Sequence, residues 1–284
     1  MINIGIDKQR QQILHNQQVH NSAKFNYEHI HVEIFNPTEQ LRITSLLDWA
    51  ISQIATNSSD PLILDFGCGT GNLSKLILEL GHRVLAVDIS IECLMVLKNS
   101  FKENTRLDCM ELNGVDLKNI KNNSIDMVAT YSVLHHVPDY LKIVREFIRI
   151  VKPGGIIYID HEVAPSVWLE HSNEYSSYLK ELQAISSRPL GEKIKRKIGL
   201  LVSLNAWKRL INRTLYGLND EGDIHVTRDD HIEWGLIEEI LQSDCFPLKQ
   251  EDYLLCRESE EFPHLHTKYS AMCSDMRAIV FRKR

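Results

Sequence analysis

The sequence of 284 residues lacks the features that define disulfide frameworks, zinc sites and membrane proteins. Its six cysteines include no C-x-x-C pair, a distribution typical of reduced and mostly buried thiols. Runs of about 18 uncharged apolar residues are absent, so no membrane-spanning helix is predicted. The polar first segment also lacks the apolar core of a secretion signal. We therefore expect a globular protein of the cytoplasm.

The chain also lacks a strong charge of either sign. It has 32 Lys and Arg against 38 Asp and Glu, a formal net charge of −6. This mild negative charge argues against a broad surface for nucleic acid. Hydrophobic residues make up 43% and charged residues 25%, which excludes disorder as the main state. The length allows one large domain, or one domain with a cap.

Short apolar segments alternate with helical patterns through the middle of the chain. Strands are predicted at 62–66, 83–88, 106–112, 124–131 and 155–161, and two more near 249–256 and 276–282. This alternation is typical of a parallel sheet covered on both faces. We predict an α/β fold: a Rossmann-like, seven-stranded, mostly parallel sheet with helices on both faces, an N-terminal helical arm and an inserted helical cap.

The pattern divides the chain into four parts. Residues 1–60 are an N-terminal arm and a helix, 61–162 the core, 163–222 the helical cap, and 223–284 the last part of the core sheet. The arm up to residue 36 is expected to be irregular or loosely helical. Thr38 is expected to cap the helix that begins near Pro37, and Thr227 the helix that ends near Ser243.

A glycine-rich loop separates the first predicted strand from its helix. Glycines at 67, 69 and 71 follow Asp65 in the spacing D-x-G-x-G-x-G. Glycines let the backbone approach a ligand, and the following helix N-terminus offers free N–H groups. The dinucleotide fingerprint needs a third glycine at position 72, where Asn72 stands. A phosphate-binding P-loop is excluded as well, because no G-K-[ST] follows.

Three further motifs follow the loop in order. Asp88 ends the second predicted strand, 21 residues after Gly67, where a carboxylate can accept both hydroxyls of a ribose; a plain helix-capping role is the alternative. Residues 123–137 read NSIDMVATYSVLHHV, around the fourth strand. Residues 152–155, KPGG, precede the fifth strand.

Together these four motifs resemble the class I S-adenosylmethionine-dependent methyltransferases of small molecules. The resemblance implies S-adenosyl-L-methionine as cofactor and S-adenosyl-L-homocysteine as product, a cofactor-binding core over 61–162, and an acceptor side formed by the cap. In that family the acidic residue and the glycines receive the methionine part of the cofactor. The cofactor-binding residues implied here are Asp65, Gly67, Cys68, Gly69, Gly71, Asn72, Asp88, Ile89, Asn113, Gly114 and Tyr131.

The turn after the third strand departs from the family's usual acidic turn, which contacts adenine. Here the sequence reads ELNGVD over 111–116, so either Asn113 or Asp116 is available for the adenine. We favour Asn113, because an amide both donates to and accepts from the adenine edge.

His135 and His136 are the candidate catalytic residues, since they follow the fourth strand, close to the expected methyl group. Methyl transfer to an oxygen or nitrogen nucleophile of a small organic acceptor often requires removal of a proton, for which histidine is suited. The alternative is that both histidines only shape the loop. No metal is expected, because neither the His264-x-His266 pair nor His161 with Glu162 has an identifiable further ligand.

The cap carries a basic, amphipathic segment over 193–213. This segment predicts a cover for an apolar or anionic acceptor, in which Trp207 helps to select the acceptor. A second interpretation is transient contact with an anionic membrane. The plainer alternative is a packed helix with a solvated basic face.

Tyr27, His29 and His31, in the N-terminal arm, are a candidate lid over the cofactor. Nucleic acid is not expected as the substrate, and the sequence does not indicate the oligomeric state. Two alternatives remain: a cofactor-binding relative without transferase activity, and an enzyme of the same fold with another reaction, such as a cyclisation.

Overall fold

The computed structural model describes residues 4–23, 31–169, 172–185, 222–257 and 264–284. Its helices are α1 (Ile4–Ala23), α2 (Val32–Phe35), α3 (Pro37–Ser52), α4 (Asn72–Glu79), α5 (Ile91–Ser100), α6 (Tyr140–Ile150), α7 (Asn173–Ile185), α8 (Trp234–Asp244) and α9 (Leu265–Tyr269). Its strands are β1 (Leu62–Phe66), β2 (Arg83–Asp88), β3 (Leu107–Glu111), β4 (Ile125–Tyr131), β5 (Val151–Val163), β6 (Val226–Thr227), β7 (Asp230–His231), β8 (Cys245–Tyr253) and β9 (Met276–Lys283).

Seven of these strands form one sheet in the order β3-β2-β1-β4-β5-β9-β8. The pairings from β3 through β5 are parallel, whereas β9 runs antiparallel to both β5 and β8. The predicted seven-stranded, mostly parallel sheet is therefore confirmed. Chain order reverses between β1 and β4, and ligands of such sheets bind beyond the carboxyl ends of the strands at this kind of position.

Each face of the sheet is covered by helices through its own apolar core. Alternate residues of β1 divide between them: Leu64 packs with Phe147 of α6 and Leu241 of α8, whereas Ile63 packs with Leu47 of α3. The residues Ile63, Leu64 and Leu47 are all fully buried. Strands buried on both faces read as continuous apolar runs, which is why the sequence pattern identified them.

The N-terminal helical arm is confirmed, since residues 4–23 form one regular helix. Two predictions about helix starts were wrong. Asn36, rather than Thr38, caps α3: its side chain accepts the Glu39 amide at 3.0 Å, and Pro37 takes the first helical position. Thr227 lies in the small β6–β7 hairpin, and α8 begins only at Trp234.

The predicted cap is described only in part. Residues 163–169 leave the sheet through a short 3₁₀ turn, and α7 packs its Tyr175 and Tyr178 against Leu265 and Tyr269 of α9. The basic segment over 193–213 and Trp207 lie outside the described residues. Among the described helices none is both long and apolar enough to cross a membrane. All six cysteines are described, and none forms a disulfide.

Candidate cofactor site

A cavity lies at the carboxyl ends of β1, β2 and β4, which is where open α/β sheets bind their ligands. Of the residues predicted to bind the cofactor, those that line it are Asp65, Gly67, Cys68, Gly69, Asn72, Asp88, Ile89, Gly114 and Tyr131. Gly71 and Asn113 are not among the lining residues. Of the two histidines, His136 lines the cavity and His135 does not.

The glycine loop contributes two glycines with different tasks. Gly69 has a φ of +52°, and a Cβ placed on it would meet no heavy atom within 4 Å. Gly71 has a φ of +105°, and its Cβ would lie 2.4 Å from a Leu97 methyl group of α5. Positive φ favours glycine at both positions. Gly69 therefore keeps the backbone open toward the cavity, whereas Gly71 allows α5 to pack against the loop.

Asp88 is held between the loop and the end of β2. Its carboxylate accepts the Gly69 amide at 2.8 Å and the Ser90 amide at 2.7 Å, and the residue is 7% exposed. Burial raises the pKa of Asp88, and these backbone hydrogen bonds oppose the rise. Each carboxylate oxygen has a second lone pair, so both remain able to accept a ligand hydroxyl. Ser90, not Asp88, caps α5, since its side chain accepts the Cys93 amide.

Two side chains beside the loop have buried polar atoms. Asp65 accepts a hydrogen bond from the Ser74 hydroxyl at 2.6 Å, and burial raises the pKa of its carboxyl to about 7. Asn72 accepts from the Gln40 amide at 3.1 Å, while its own Nδ2 is buried and has no partner in the described part of the chain. A buried donor without a partner is costly, so this amide fits a ligand acceptor in the cavity.

The loop after β3 places Asp116, rather than Asn113, in the cavity wall. Asn113 turns inward on the loop, where its oxygen accepts the Val115 and Asp116 amides at 2.8 and 3.0 Å and its Nδ2 donates to Asp116 at 3.1 Å. Hydrogen bonds from Lys118 and Asn113 lower the pKa of Asp116 to about 2. The Asn113 amide thus serves the turn and orients the Asp116 carboxylate, so of the two candidates for the adenine Asp116 is the one that faces the cavity, and the role of Asn113 stays a prediction.

Helix α1 closes the top of the cavity with Ile13, Asn16 and His20. Asn16 donates to the His136 carbonyl at 2.6 Å, and Gln17 donates to the Ile89 carbonyl at 2.9 Å. The helix thus connects the loops after β2 and β4. The sequence predicted a helical arm but not its place over the cavity, although the three lining residues are spaced to share one helical face. Tyr27 and His29 of the predicted lid lie outside the described residues, and His31 precedes α2.

Tyr131 connects the cavity to a buried charged cluster beneath α3. The Tyr131 hydroxyl donates a hydrogen bond to Glu39 at 2.9 Å. Arg42 donates to Glu39 at 2.7 Å and to Asp160 at 2.9 Å. Tyr253 also donates to Asp160, at 2.9 Å. Burial alone would raise the pKa of Glu39, but hydrogen bonds from its neighbours bring it to about 2. The cluster fixes α3 against the ends of β4, β5 and β8. It also holds the Tyr131 ring in place, because the Tyr131 hydroxyl is bound to Glu39 of α3.

The two histidines lie in a 3₁₀ turn after β4, and His136 lines the cavity. His135 Nδ1 is 2.8 Å from Glu162, a fully buried residue of β5. Asp223 Oδ1 lies 3.7 Å from His135 Nε2 and 3.3 Å from His136 Nδ1. Burial, followed by the charges of His135 and His20, keeps the pKa of His136 well below its usual value, so this imidazole is neutral near pH 7. Glu162 and Asp223 were not identified from the sequence.

Comparison with known proteins agrees with this geometry. The sequence profile of the family described as "Methyltransferase domain" matches residues 64–159. A ubiquinone biosynthesis O-methyltransferase of Xanthomonas campestris is 32% identical over 114 residues, 40% of this chain and 47% of the relative. Another of that name from Xanthomonas oryzae is 34% identical over 98 residues, 34% of this chain and 41% of the relative. The chain thus matches about half the length of these curated relatives.

Solved structures share the fold at low sequence identity. An S-adenosylmethionine-dependent methyltransferase from Mesorhizobium loti aligns with a TM-score of 0.52 at 16% identity, covering 84% of this chain and 96% of that one. A geranyl diphosphate C-methyltransferase from Streptomyces coelicolor aligns with a TM-score of 0.50 at 12% identity, covering 87% and 82%. Residues 64–159 thus match a methyltransferase domain in sequence, and the solved structures show that the chain shares their fold.

Proposed function

We propose that this protein is an S-adenosylmethionine-dependent methyltransferase that acts on an oxygen or nitrogen nucleophile of a small organic acceptor. The hydrogen bond between Asp88 and the Gly69 amide carries the proposal, because it brings the two most specific cofactor motifs to one cavity. Oxygen is favoured, since the matched relatives are named O-methyltransferases. The cytoplasmic location and the division of the chain at 60, 162 and 222 stay predictions.

The residues that line the cavity fit the cofactor by charge and by space. Asp88 would hold the ribose hydroxyls, and Asp116 the amino group of the adenine. The open backbone at Gly69, with the Asp65 carboxylate nearby, would receive the methionine part. The unpartnered Asn72 amide adds a donor for its carboxylate. When bound, the cofactor supplies a methyl group on a sulfonium that needs no further activation.

The chain itself then has three tasks: to orient the acceptor, to exclude water and to take a proton from it. Helix α1 excludes water by lying over the cavity with Ile13 and Asn16. His136 is neutral and lines the cavity, so it can accept a proton there. Glu162 orients the neighbouring His135 through the 2.8 Å contact to its Nδ1. The histidine pair therefore stands at the acceptor end of the proposed reaction.

The acceptor is proposed to be small and either apolar or anionic. We infer that the predicted cap over 163–222 selects it, although no residue of α7 lines the cavity. Membrane contact through 193–213 stays a prediction, as does the exclusion of nucleic acid as a substrate.

Calorimetry with the purified full chain tests the cofactor half of the proposal. S-adenosylmethionine and S-adenosylhomocysteine should bind with one-to-one stoichiometry, whereas NADH and ATP should not compete. Formation of S-adenosylhomocysteine with a panel of phenols, catechols, carboxylic acids and amines then tests the transferase half. Binding without turnover on any acceptor would favour the non-catalytic relative. Absence of binding would contradict the proposal.

A further inference from the structure

We propose that His135, His136 and Asp223 form a site for a divalent transition-metal ion at the acceptor end of the cavity. The proposal rests on the proposed function for the role of that ion, but not for its binding. It departs from the sequence-based expectation of no metal, which considered other histidine pairs and not Asp223. The three side chains place their donor atoms within 4.8 Å of one another.

The geometry around Asp223 favours a shared ion over a hydrogen bond. His136 Nδ1 lies 3.3 Å from Asp223 Oδ1, yet it makes no hydrogen bond in the described part of the chain and is buried. His135 Nε2 is 3.7 Å from the same oxygen. Three donors thus converge at distances that suit ligands of one ion better than each other. Two imidazoles and a carboxylate prefer first-row ions such as Zn²⁺ to Mg²⁺ or Ca²⁺.

The backbone holds these donors in place. The Ile224 and His225 amides donate to the His135 carbonyl at 2.9 and 3.0 Å, which fixes Asp223 beside the 3₁₀ turn. Asn16 of α1 fixes the other side, through its hydrogen bond to the His136 carbonyl at 2.6 Å. The arrangement is therefore built by three separate elements rather than by one mobile loop.

Glu162 completes the arrangement from behind. One of its oxygens accepts the Val133 and Leu134 amides at 3.0 and 2.7 Å, and the other lies 2.8 Å from His135 Nδ1. A carboxylate in this position keeps the proton on Nδ1 and directs the lone pair of Nε2 toward Asp223. Histidines that ligate metals are held in this way.

With the ion bound, His136 acts as a ligand and no longer as the proton acceptor. Three protein donors then leave coordination positions for an acceptor oxygen or for water, which the ion makes more acidic. His136 lines the cavity, so these positions are accessible from the side where the acceptor enters. The ligand class is accordingly a hydroxyl or carboxylate oxygen of the acceptor, and an acceptor with two adjacent oxygens would bind best.

The test uses the full chain without a histidine tag, treated with a chelator and then titrated with Co²⁺ and Zn²⁺. We expect one equivalent of Co²⁺ to give visible d–d bands, and Zn²⁺ to displace it. His135→Ala, His136→Ala and Asp223→Asn should each weaken Zn²⁺ binding by more than the roughly 10–100-fold expected for Glu162→Gln. His231→Ala is the matched control, since its Nε2 lies 3.5 Å from Glu233 without a second imidazole.

Three outcomes would overturn the site: no Co²⁺ bands in the wild-type protein, a spectrum dominated by thiolate charge transfer, or unchanged affinity in folded Asp223→Asn protein. Circular dichroism and the binding of S-adenosylhomocysteine are measured on the same samples. Intact S-adenosylhomocysteine binding without metal binding removes the metal site alone. Metal binding without S-adenosylhomocysteine binding removes the proposed function instead.

Discussion

The Asp88 carboxylate accepts a hydrogen bond from the Gly69 amide at 2.8 Å, although the two residues belong to different strand-to-helix turns. This contact joins the glycine loop after β1 to the end of β2 and leaves both facing the same cavity. It therefore prearranges a carboxylate and an open backbone for one ligand. The cofactor assignment depends on this relationship more than on either motif alone.

Asp88→Ala should weaken S-adenosylmethionine binding by about 1.5–3 kcal/mol, the value of a charge-assisted hydrogen bond. The loss follows from removal of the acceptor for the ribose hydroxyls. Calorimetry measures it, with Asp108→Ala as control because Asp108 is an exposed carboxylate on the adjacent strand β3. Unchanged affinity in a folded Asp88→Ala protein would remove Asp88 from the site.

Cofactor affinity should depend on pH through Asp65. Burial raises the pKa of this carboxyl to about 7, so below that pH it is mostly protonated. In that form it cannot pair with the positively charged amino group on the methionine part of the cofactor. Because the bound cation favours the ionised form, affinity should rise by up to about fifteenfold from pH 5.5 to pH 7, with proton release at the lower pH. Calorimetry in two buffers measures both effects. Asp65→Asn should bind weakly with little dependence on pH, and an unaltered pH profile would contradict this role.

Removing either histidine should affect turnover more than cofactor binding. His136→Ala and His135→Ala are expected to lower kcat by about 10²–10⁴, the usual contribution of a positioned base. Affinity for S-adenosylhomocysteine should stay nearly intact. His82→Ala is the control, since His82 lies at the amino end of β2, whereas the cavity lies at the carboxyl ends of the strands. Parallel losses of rate and cofactor affinity would indicate that the histidines only shape the loop.

Arg42→Met should lower the free energy of unfolding by about 3–5 kcal/mol, because it leaves Glu39 and Asp160 buried without their cation. The pKa of Glu39 is depressed to about 2, so the stability that its ionised form contributes is present at neutral pH and is lost as pH falls from about 4.5 toward 2. The deficit of Arg42→Met should therefore shrink in acid. Urea unfolding of the wild type and of Arg42→Met, in neutral and in acidic buffer, measures this difference in the free energy of unfolding.

Arg145→Met, at an exposed position of α6, is the matched control and should change the free energy of unfolding by less than about 0.5 kcal/mol. Equal stability of the two variants at neutral pH would show that the buried cluster contributes little.

The parts of the fold that depend on local pattern could be predicted from the sequence. The buried strands read as apolar runs, and the loop from Asp65 to Gly71 has a specific spacing. Helix α1 could not be recognised by apolar periodicity, because side-chain amides such as Asn16 and Gln17 attach it to the core.

Long-range contacts were equally hidden at the site. The sequence around the turn does not show whether Asn113 or Asp116 faces the cavity. That depends on which side chain forms the hydrogen bonds within the turn, and here it is Asn113. Glu162 and Asp223 are far from the histidines in sequence, and only the fold brings them together.

A comparison of Gly69→Val with Gly81→Val measures whether the glycine loop binds the cofactor. Both glycines have positive φ, +52° and +85°, and neither Cβ would meet another atom within 4 Å, so both substitutions strain the backbone without a steric clash. Of these two glycines, Gly69 lines the cavity and Gly81 does not. We predict that Gly81→Val binds S-adenosylhomocysteine as the wild type does in calorimetry, whereas Gly69→Val shows no measurable binding. Wild-type affinity in a folded Gly69→Val protein would contradict the account.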